Sequence, residues 1–393
     1  MGYPPGKVGL LRKSLYGTRD APANWEAAIK AVMMLIGFQQ AKSNSCLYYH
    51  AEKQIRIEVH GDDFTGVGPK AELEWFAAEL RKHWTIDVRG ILGPPSMKDV
   101  DHSIVILNRL VTWTDKGIEM EADPRHVDLL LQEVGCEGSK VTTPLIKERT
   151  EEALTSEELN EETSAMYRSA SMRLAYLSQD RPDLLVLGKE LAKGLKRPTQ
   201  AHLQMLKRGV RYLRSHPRMI HLFPNQKQFT SLELWVDADH AGCIRSRKST
   251  TGTVLQLGRC TIRTTCKSQA VIALSSGEAE YYGLVSGLCQ ALGEQSQLRD
   301  WGVHVPIIGY MDATTGLSIG SRHGLGKVKL IDTAFLWVQD AILTGKAKLY
   351  KKSTQEMLAD LFTKPLDAGR MKMLLEKLNY RFCGGRHHLA LDA

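Results

Sequence analysis

The chain has 393 residues, 43% of them hydrophobic, and a formal net charge of +8. That length suits two or three domains of ~100–200 residues each, and the basic excess points to an anionic partner, nucleic acid before others, unless it serves only solubility. The seven dispersed cysteines form no C-x-x-C pair, which argues against a zinc ribbon or a disulfide framework, and no apolar run approaches the ~20 residues of a bilayer span.

The first block runs from 1 to 140. Its start, MGYPPGKVGLL, lacks a signal-peptide core, so an intracellular protein of cytoplasm or nucleus is expected, with no membrane partner. A helix is predicted near Ala21–Ile36, then strands through IRIEVHGDDFTGVG, then a helix at about 70–83. His60-Gly61-Asp62-Asp63 reads as the turn between those strands, because Gly and Asp tolerate tight hairpin geometry.

The second block, 141–227, opens with the glutamate-dense stretch 149–163, read as a linker with a short helix. From about 165 to 222 the chain reads as helical and basic. Leu203, Leu206, Val210 and Leu213 recur at helical spacing, so one face packs while Lys193, Lys196, Arg197, Lys207, Arg208, Arg211 and Arg214 are available to contact phosphate, or to be solvated.

The third block, 228–380, alternates strands and helices, and a tail, 381–393, follows. LELWVDAD is a strand with Leu232, Leu234 and Val236 on one face and Asp237 and Asp239 on the other. TGTVLQLG and TIRTTCKS form a hairpin turning at Gly258-Arg259. Ser275–Trp301 is a long helix with a stripe of Tyr281, Leu284, Val285, Leu288 and Leu292. PIIGYMD is a strand ending at Asp312, a helix near 333–343 holds Trp337, and AKLYK is a further strand. Ser353-Thr-Gln-Glu356 fits a capping box, which predicts a helix from there to Pro365 with Asp360 inside it. The tail from Cys383 through His387 and His388 reads as a disordered end.

Four acids therefore lie in four separate elements: Asp237, Glu280, Asp312 and Asp360. Carboxylates that a fold brings to one point are what phosphodiester cleavage with two Mg²⁺ ions requires, the ions lying roughly 4 Å apart. Mg²⁺ takes oxygen ligands, and Mn²⁺ is its natural substitute. Pattern alone leaves the choice open between Asp237 and Asp239, and between Glu280 and Glu278.

Several motifs in one order resemble the C-terminal part of the Pol polyprotein of copia-type (Pseudoviridae-like) retrotransposons, from Leu11 to about Leu378. LRKSLYGTRDAPANW resembles the K-S-L-Y-G-L-K-Q-x-P-x-x-W segment of the reverse transcriptase palm, and VHGDD at 59–63 stands where the family reads Y-V-D-D. Tyr167-Arg-Ser, Leu174-Ala-Tyr-Leu177 and Arg181-Pro-Asp183 resemble its Y-R-S, L-x-Y-L and R-P-D. VDADHAG, Lys248-Ser-Thr-Thr-Gly252, Ala273-Leu-Ser-Ser-Gly-Glu-Ala-Glu-Tyr281 and Leu358-Ala-Asp-Leu-Phe-Thr-Lys-Pro365 follow as in its ribonuclease H domain.

The resemblance implies an α/β chain: an α+β palm remnant, then a ribonuclease H-like mixed five-stranded sheet with flanking helices. It implies Asp237, Glu280, Asp312 and Asp360 as ligands of two Mg²⁺ ions, with Asp237 bridging both, water attacking phosphorus and a 3′-hydroxyl leaving from the RNA strand of an RNA/DNA hybrid. It places Tyr16 and Gly17 beside an incoming nucleotide and Asp62 and Asp63 in a polymerase metal site. The family's other palm aspartate lies upstream of the segment matching Gly2–Gly6, so DNA synthesis is not expected of this chain alone. Lys329-Leu330-Ile331-Asp332 replaces a K-H-[IL]-D of many relatives, which slows turnover if that histidine shuttles protons, unless His323 compensates. Nucleic acid and other Pol or capsid components are the implied partners. An inactive nucleic-acid-binding relic and a piece of a longer active reverse transcriptase are the competing readings.

Overall fold

In the computed structural model, which describes residues 10–135, 137–147, 156–324, 326, 331 and 333–391, apolar alternation decides where the strands lie. Ile55, Ile57 and Val59 are buried, and Arg56, Glu58 and His60 between them are more exposed. Two units result: one from residues up to Arg89 together with Ser296–Val303, the other from Gly90–Gln295 and from His304 onward.

The first unit contains α1 (Ala21–Leu35), β1 (Gln39–Gln40), β2 (Leu47–His50), β3 (Ile55–His60), β4 (Asp63–Val67) and α2 (Lys70–Arg81). Its four strands pair antiparallel in sequence order. Ile29, Met33, Phe38, Ile55, Ile57, Phe76 and Leu80 form its core. The expected turn at His60–Asp63 joins β3 to β4, with Gly61 at a φ of +61°, a conformation that costs glycine little.

The second unit holds two five-stranded sheets. One is built from β5 (Ser103–Ile106), β6 (Arg109–Thr114), β7 (Gly117–Glu121), β8 (Arg218–Pro224) and β14 (Tyr380–Cys383), in the order β14-β8-β7-β6-β5. It therefore crosses the divisions at 140 and 381 that the sequence suggests. Helices α3 (Arg125–Val134), α4 (Glu161–Leu177), α5 (Leu185–Lys193) and α6 (Gln200–Ser215) share a core with it, and the stripe Leu203, Leu206, Val210, Leu213 is buried there as expected.

Two expectations are corrected in this region. The helical reading to 222 fails because His216 leaves helical geometry (φ −133°, ψ 61°) ahead of Pro217, as residues before proline tend to do. Residues 218–224 then pair with β7 and β14. The tail is not wholly disordered either: Tyr380–Cys383 is a strand, and Arg386 pairs with Asp128 at 3.0 Å.

The other sheet runs β11-β10-β9-β12-β13, from β9 (Leu232–Ala238), β10 (Thr250–Leu257), β11 (Cys260–Ser268), β12 (Ile307–Met311) and β13 (Ala347–Lys351). The pairs β9–β10 and β10–β11 are antiparallel, and β12 is parallel to both β9 and β13. This is the mixed five-stranded sheet with flanking helices that the sequence implies. Helix α7 (Ser276–Asp300) lies close on β9, because a Cβ on Gly287 would come within 2.9 Å of Val236 and 3.0 Å of Leu234. Tyr281, Leu284, Val285 and Leu288 of its expected stripe are buried, and Leu292 is half-buried. Helices α8 (Thr314–Gly320), α9 (Trp337–Leu343) and α10 (Ala368–Lys377) complete the region.

The helix expected from Ser353 is replaced by a turn and a 3₁₀ helix, Leu358–Phe362. The Ser353 hydroxyl donates to the Glu356 carboxylate at 2.9 Å, so the reciprocal side-chain-to-backbone box is not made. All five residues of the 3₁₀ helix are buried, and it lies directly on Gly252 of β10, where a Cβ would meet the Ala359 carbonyl oxygen at 2.7 Å. Among the described residues no helix is long and apolar enough to cross a membrane.

Candidate metal centre

Two parallel neighbours and one helix bring three acids together. Asp237 sits near the end of β9, Asp312 just beyond β12, and Glu280 in the second turn of α7. One carboxylate oxygen from each lies within 4.8 Å of the others. Because β9 and β12 run parallel, their C-terminal ends point the same way and deliver both aspartates to one edge.

The acids that the sequence leaves open differ in their hydrogen bonds. Asp239 accepts from the Thr250 amide at 2.7 Å and shapes the turn after β9. Glu278 accepts from the Leu274 amide at 3.1 Å and from the Tyr282 hydroxyl at 2.8 Å. Both have structural partners, whereas Glu280 Oε2 is buried with no hydrogen-bond partner among the described residues.

Other side chains fix the trio. Thr363 donates its hydroxyl to Asp237 Oδ2 at 2.6 Å, and Thr354 donates to Asp312 Oδ2 at 2.8 Å. Asp360 is buried in the 3₁₀ helix and outside the trio; Lys364 Nζ reaches its Oδ1 at 3.0 Å and Arg370 Nη2 its Oδ2 at 3.2 Å. Thr354, Thr363, Lys364 and Arg370 carry no role in the sequence reading, although Thr363 and Lys364 stand inside the L-A-D-L-F-T-K-P motif; that motif was the signal available.

Burial sets the electrostatics. It pushes the Glu280 carboxyl up to about 9, with Asp237 and Asp312 adding repulsion. It also raises Asp237, to about 6, against the opposing bond from Thr363, with Asp360 and Asp312 raising it further. Converging carboxylates, two of them buried and one with an unsatisfied oxygen, are poorly stable alone and suit a hard divalent cation, whose ligands are oxygens. The residues thus fit Mg²⁺ or Mn²⁺.

The remaining sequence candidates are dispersed. Tyr16 is exposed and Gly17 has a φ of +91°. Asp62 is exposed, and Asp63 pairs with Arg89 at 3.2 Å. In the basic helical region Lys196 is exposed, Arg197 is exposed and paired with Glu158, and Lys193 pairs with Glu190 at 2.8 Å. Lys207 and Arg211 are half-buried on α6, Arg208 donates to Thr143 at 3.0 Å, and Arg214 donates to the Gly138 carbonyl at 2.8 Å. Lys329, Leu330 and Asp332 lie outside the described residues; Ile331 is buried and His323 exposed.

Two motifs of the middle region are structural. Arg181, 1% exposed, forms a two-pronged pair with Asp183, which also accepts from the Tyr212 hydroxyl at 2.8 Å. Tyr167 donates to the Leu191 carbonyl at 2.6 Å, joining α4 to α5.

No family model matches the chain. Over 379 residues it is 26% identical to the retrovirus-related Pol polyprotein from transposon RE1 of Arabidopsis thaliana, covering 95% of this chain and 25% of that protein. It is 25% identical over 384 residues to the retrovirus-related Pol polyprotein from transposon TNT 1-94 of Nicotiana tabacum, covering 94% of this chain and 28% of that one. The chain thus spans about a quarter of the length of these curated relatives. Among solved structures, the foamy viral protease-reverse transcriptase in complex with RNA/DNA hybrid aligns at a TM-score of 0.46 and 14% identity, covering 90% of this chain and 40% of that one.

These homologues are retrovirus-related Pol proteins. More particularly, they are Pol polyproteins of copia-type transposons, and the chain is similar to them over nearly its whole length.

Proposed function

We propose that this chain hydrolyses the RNA strand of RNA/DNA hybrids, using divalent cations held by Asp237, Glu280 and Asp312, with Asp360 as a fourth ligand. The observation that carries the reading is the meeting of three carboxylate oxygens within 4.8 Å, drawn from three separate elements. Kinship with transposon Pol proteins and the net charge of +8 support a nucleic-acid substrate.

Mg²⁺ is the expected ion, with Mn²⁺ able to replace it. A cation bound there supplies Lewis-acid polarisation of a phosphodiester and acidifies water. Thr363 holds Asp237, and Thr354 holds Asp312, in fixed orientations. Burial beside Asp237 and Asp312 pushes the Glu280 carboxyl up to about 9, a penalty on its charged form that a cation held there would offset. Preference for RNA would rest on contacts to 2′-hydroxyls across the shallow minor groove. Lys193, Lys196, Arg197, Lys207, Arg208, Arg211 and Arg214 are proposed phosphate contacts, with the exposed Lys196 and Arg197 foremost. Asp62 and Asp63, with Tyr16 and Gly17, are proposed as part of a polymerase site.

The test is incubation with Mg²⁺ and a hybrid labelled on its RNA strand, beside Asp237→Asn. RNA-strand cleavage by the parent and none by the variant is the expected result. Cleavage that survives the substitution overturns the site. Salt-sensitive binding without cleavage overturns the activity and favours a nucleic-acid-binding relic.

A further inference from the structure

The sheet face turned away from α7 opens to solvent toward its edge strand, β13, and its side chains follow a pattern. Leu234 and Val236 lie against Gly287 of α7, so Glu233, Trp235 and Asp237, which alternate with them, look the other way. Trp235 stands in register with Tyr310 of β12, and Tyr310 with Tyr350 of β13. Three rings therefore form a row across three strands, with centroids 4.4 Å and 6.3 Å apart. Exposure grows toward the edge, from 9% at Trp235 to 50% at Tyr350.

The edge strand also carries the charge. Lys346–Lys352 holds four lysines and no acid, and Lys348, Tyr350 and Lys352 alternate onto the face of the rings. Lys348 is exposed. Lys352 lays its ammonium 5.3 Å from the Tyr310 ring centre and 5.9 Å from that of Trp235, while pairing with Glu356 at 3.6 Å. Glu233, an acid on the same face, is half-buried and two strands from Lys348, about 10 Å across the sheet. Asp237 and Asp312 stand two residues beyond Trp235 and Tyr310, so the rings begin roughly 7 Å along the strands from the metal centre.

Paired bases hide their faces against one another, so a side-chain ring is open only to an unpaired base. Rings interleaved with cations are how single strands are held, the rings by stacking and the cations on phosphates. A protein partner fits less well, because lysine is depleted from the core of protein interfaces. We propose that Tyr310 and Tyr350, with Lys348 and Lys352, hold an unpaired nucleic-acid strand that continues from the metal centre. A base lies on Tyr350, and phosphates meet the two lysines. That the strand continues from a hybrid rests on the nuclease reading above; the binding of an unpaired strand does not.

The first test is binding of a fluorescein-labelled oligouridylate to the full chain in EDTA, followed by anisotropy across salt. Tyr350→Ala should weaken binding about tenfold at an unchanged salt slope, and Tyr350→Phe should bind like the parent. Lys348→Gln should lower the slope by about 0.7, and Lys348→Arg should restore it. Thermal melts check that each variant is folded, and if Tyr350→Ala is not, the Lys348 pair decides. The second test compares, in Ca²⁺, a blunt RNA/DNA hybrid with hybrids bearing an unpaired RNA overhang at either end. The parent should prefer one of the overhangs, and Tyr350→Ala should erase that preference while binding blunt hybrid like the parent. Oligouridylate binding unchanged in both Tyr350→Ala and Lys348→Gln overturns the proposal, whether or not hybrid is cleaved. A parent that ignores oligouridylate but self-associates in light scattering, with Tyr350→Ala monomeric, also overturns it and gives the face to a second copy of the chain. Variants that behave as expected on oligouridylate in a protein that never cleaves hybrid uphold it and remove the nuclease reading alone.

Discussion

Glu280 is the side chain whose charge the fold tolerates least. Its carboxyl is moved from 4.5 to about 9, and that of Asp237 from 3.8 to about 6. Both folded values lie above the unfolded ones, so between them the folded state holds protons that the unfolded state has lost, and stability falls as pH rises. The metal-free protein should therefore melt at lower temperature near pH 8.5 than near pH 5, and saturating Mg²⁺ should flatten most of that slope. A level metal-free profile across this window would show that the acids are not confined together. Elsewhere, Asp183→Asn leaves Arg181 buried without a counter-charge. Urea unfolding should record a loss of about 3–5 kcal/mol, and an unperturbed midpoint would mean the pair is not sealed from water. Residue identity was partly legible in the sequence. Helix periodicity could not separate Glu280 from Glu278, because both fall on a helix end that is buried nearly all round. What separates them is contacts that periodicity does not show: the nearby Tyr282 hydroxyl and Leu274 amide claim Glu278, while the distant strands β9 and β12 deliver two aspartates to Glu280.

Among the elements, the short 3₁₀ helix Leu358–Phe362 has the largest local consequence. It lies on Gly252 so closely that any side chain there collides with the Ala359 carbonyl at 2.7 Å and with Phe362 Cβ at 2.9 Å. Gly252→Ala should cost about 1–3 kcal/mol in chemical denaturation and, by shifting Thr363 away from Asp237, reduce hybrid cleavage more than its stability loss accounts for. Equal cleavage by parent and variant at a temperature where both are folded would refute that coupling. Elements whose reasons are local were legible. The β10–β11 hairpin turns at Gly258, with a φ of +57°, where the sequence puts its turn. The 3₁₀ helix was not legible, because its apolar residues obey burial on every side rather than one helical face. Nor was β8, since Arg218–Pro224 gains its strand partners from residues about a hundred positions earlier and more than a hundred and fifty later.

At the scale of the whole chain, each unit has its own core, and the larger one joins residues far apart in sequence. Tyr380 pairs with His221, and their rings stack at a centroid distance of 4.1 Å; Phe382 packs against His216 at 4.6 Å. Deleting residues from 379 on should uncover β8 as a free edge, lower the melting temperature and promote association, visible in light scattering. A truncated protein that melts like the parent would make β14 dispensable. Composition foretold none of this pairing, because it depends on contacts of high sequence separation. Those contacts also set an order of events at the ribosome. A nascent chain that has released Arg218–Pro224 must wait for more than a hundred and fifty further residues before Tyr380–Cys383 can seal its flank. During that interval the open strand is a template for other chains, so a helper that shields it until synthesis has passed residue 383 should raise the yield of native protein.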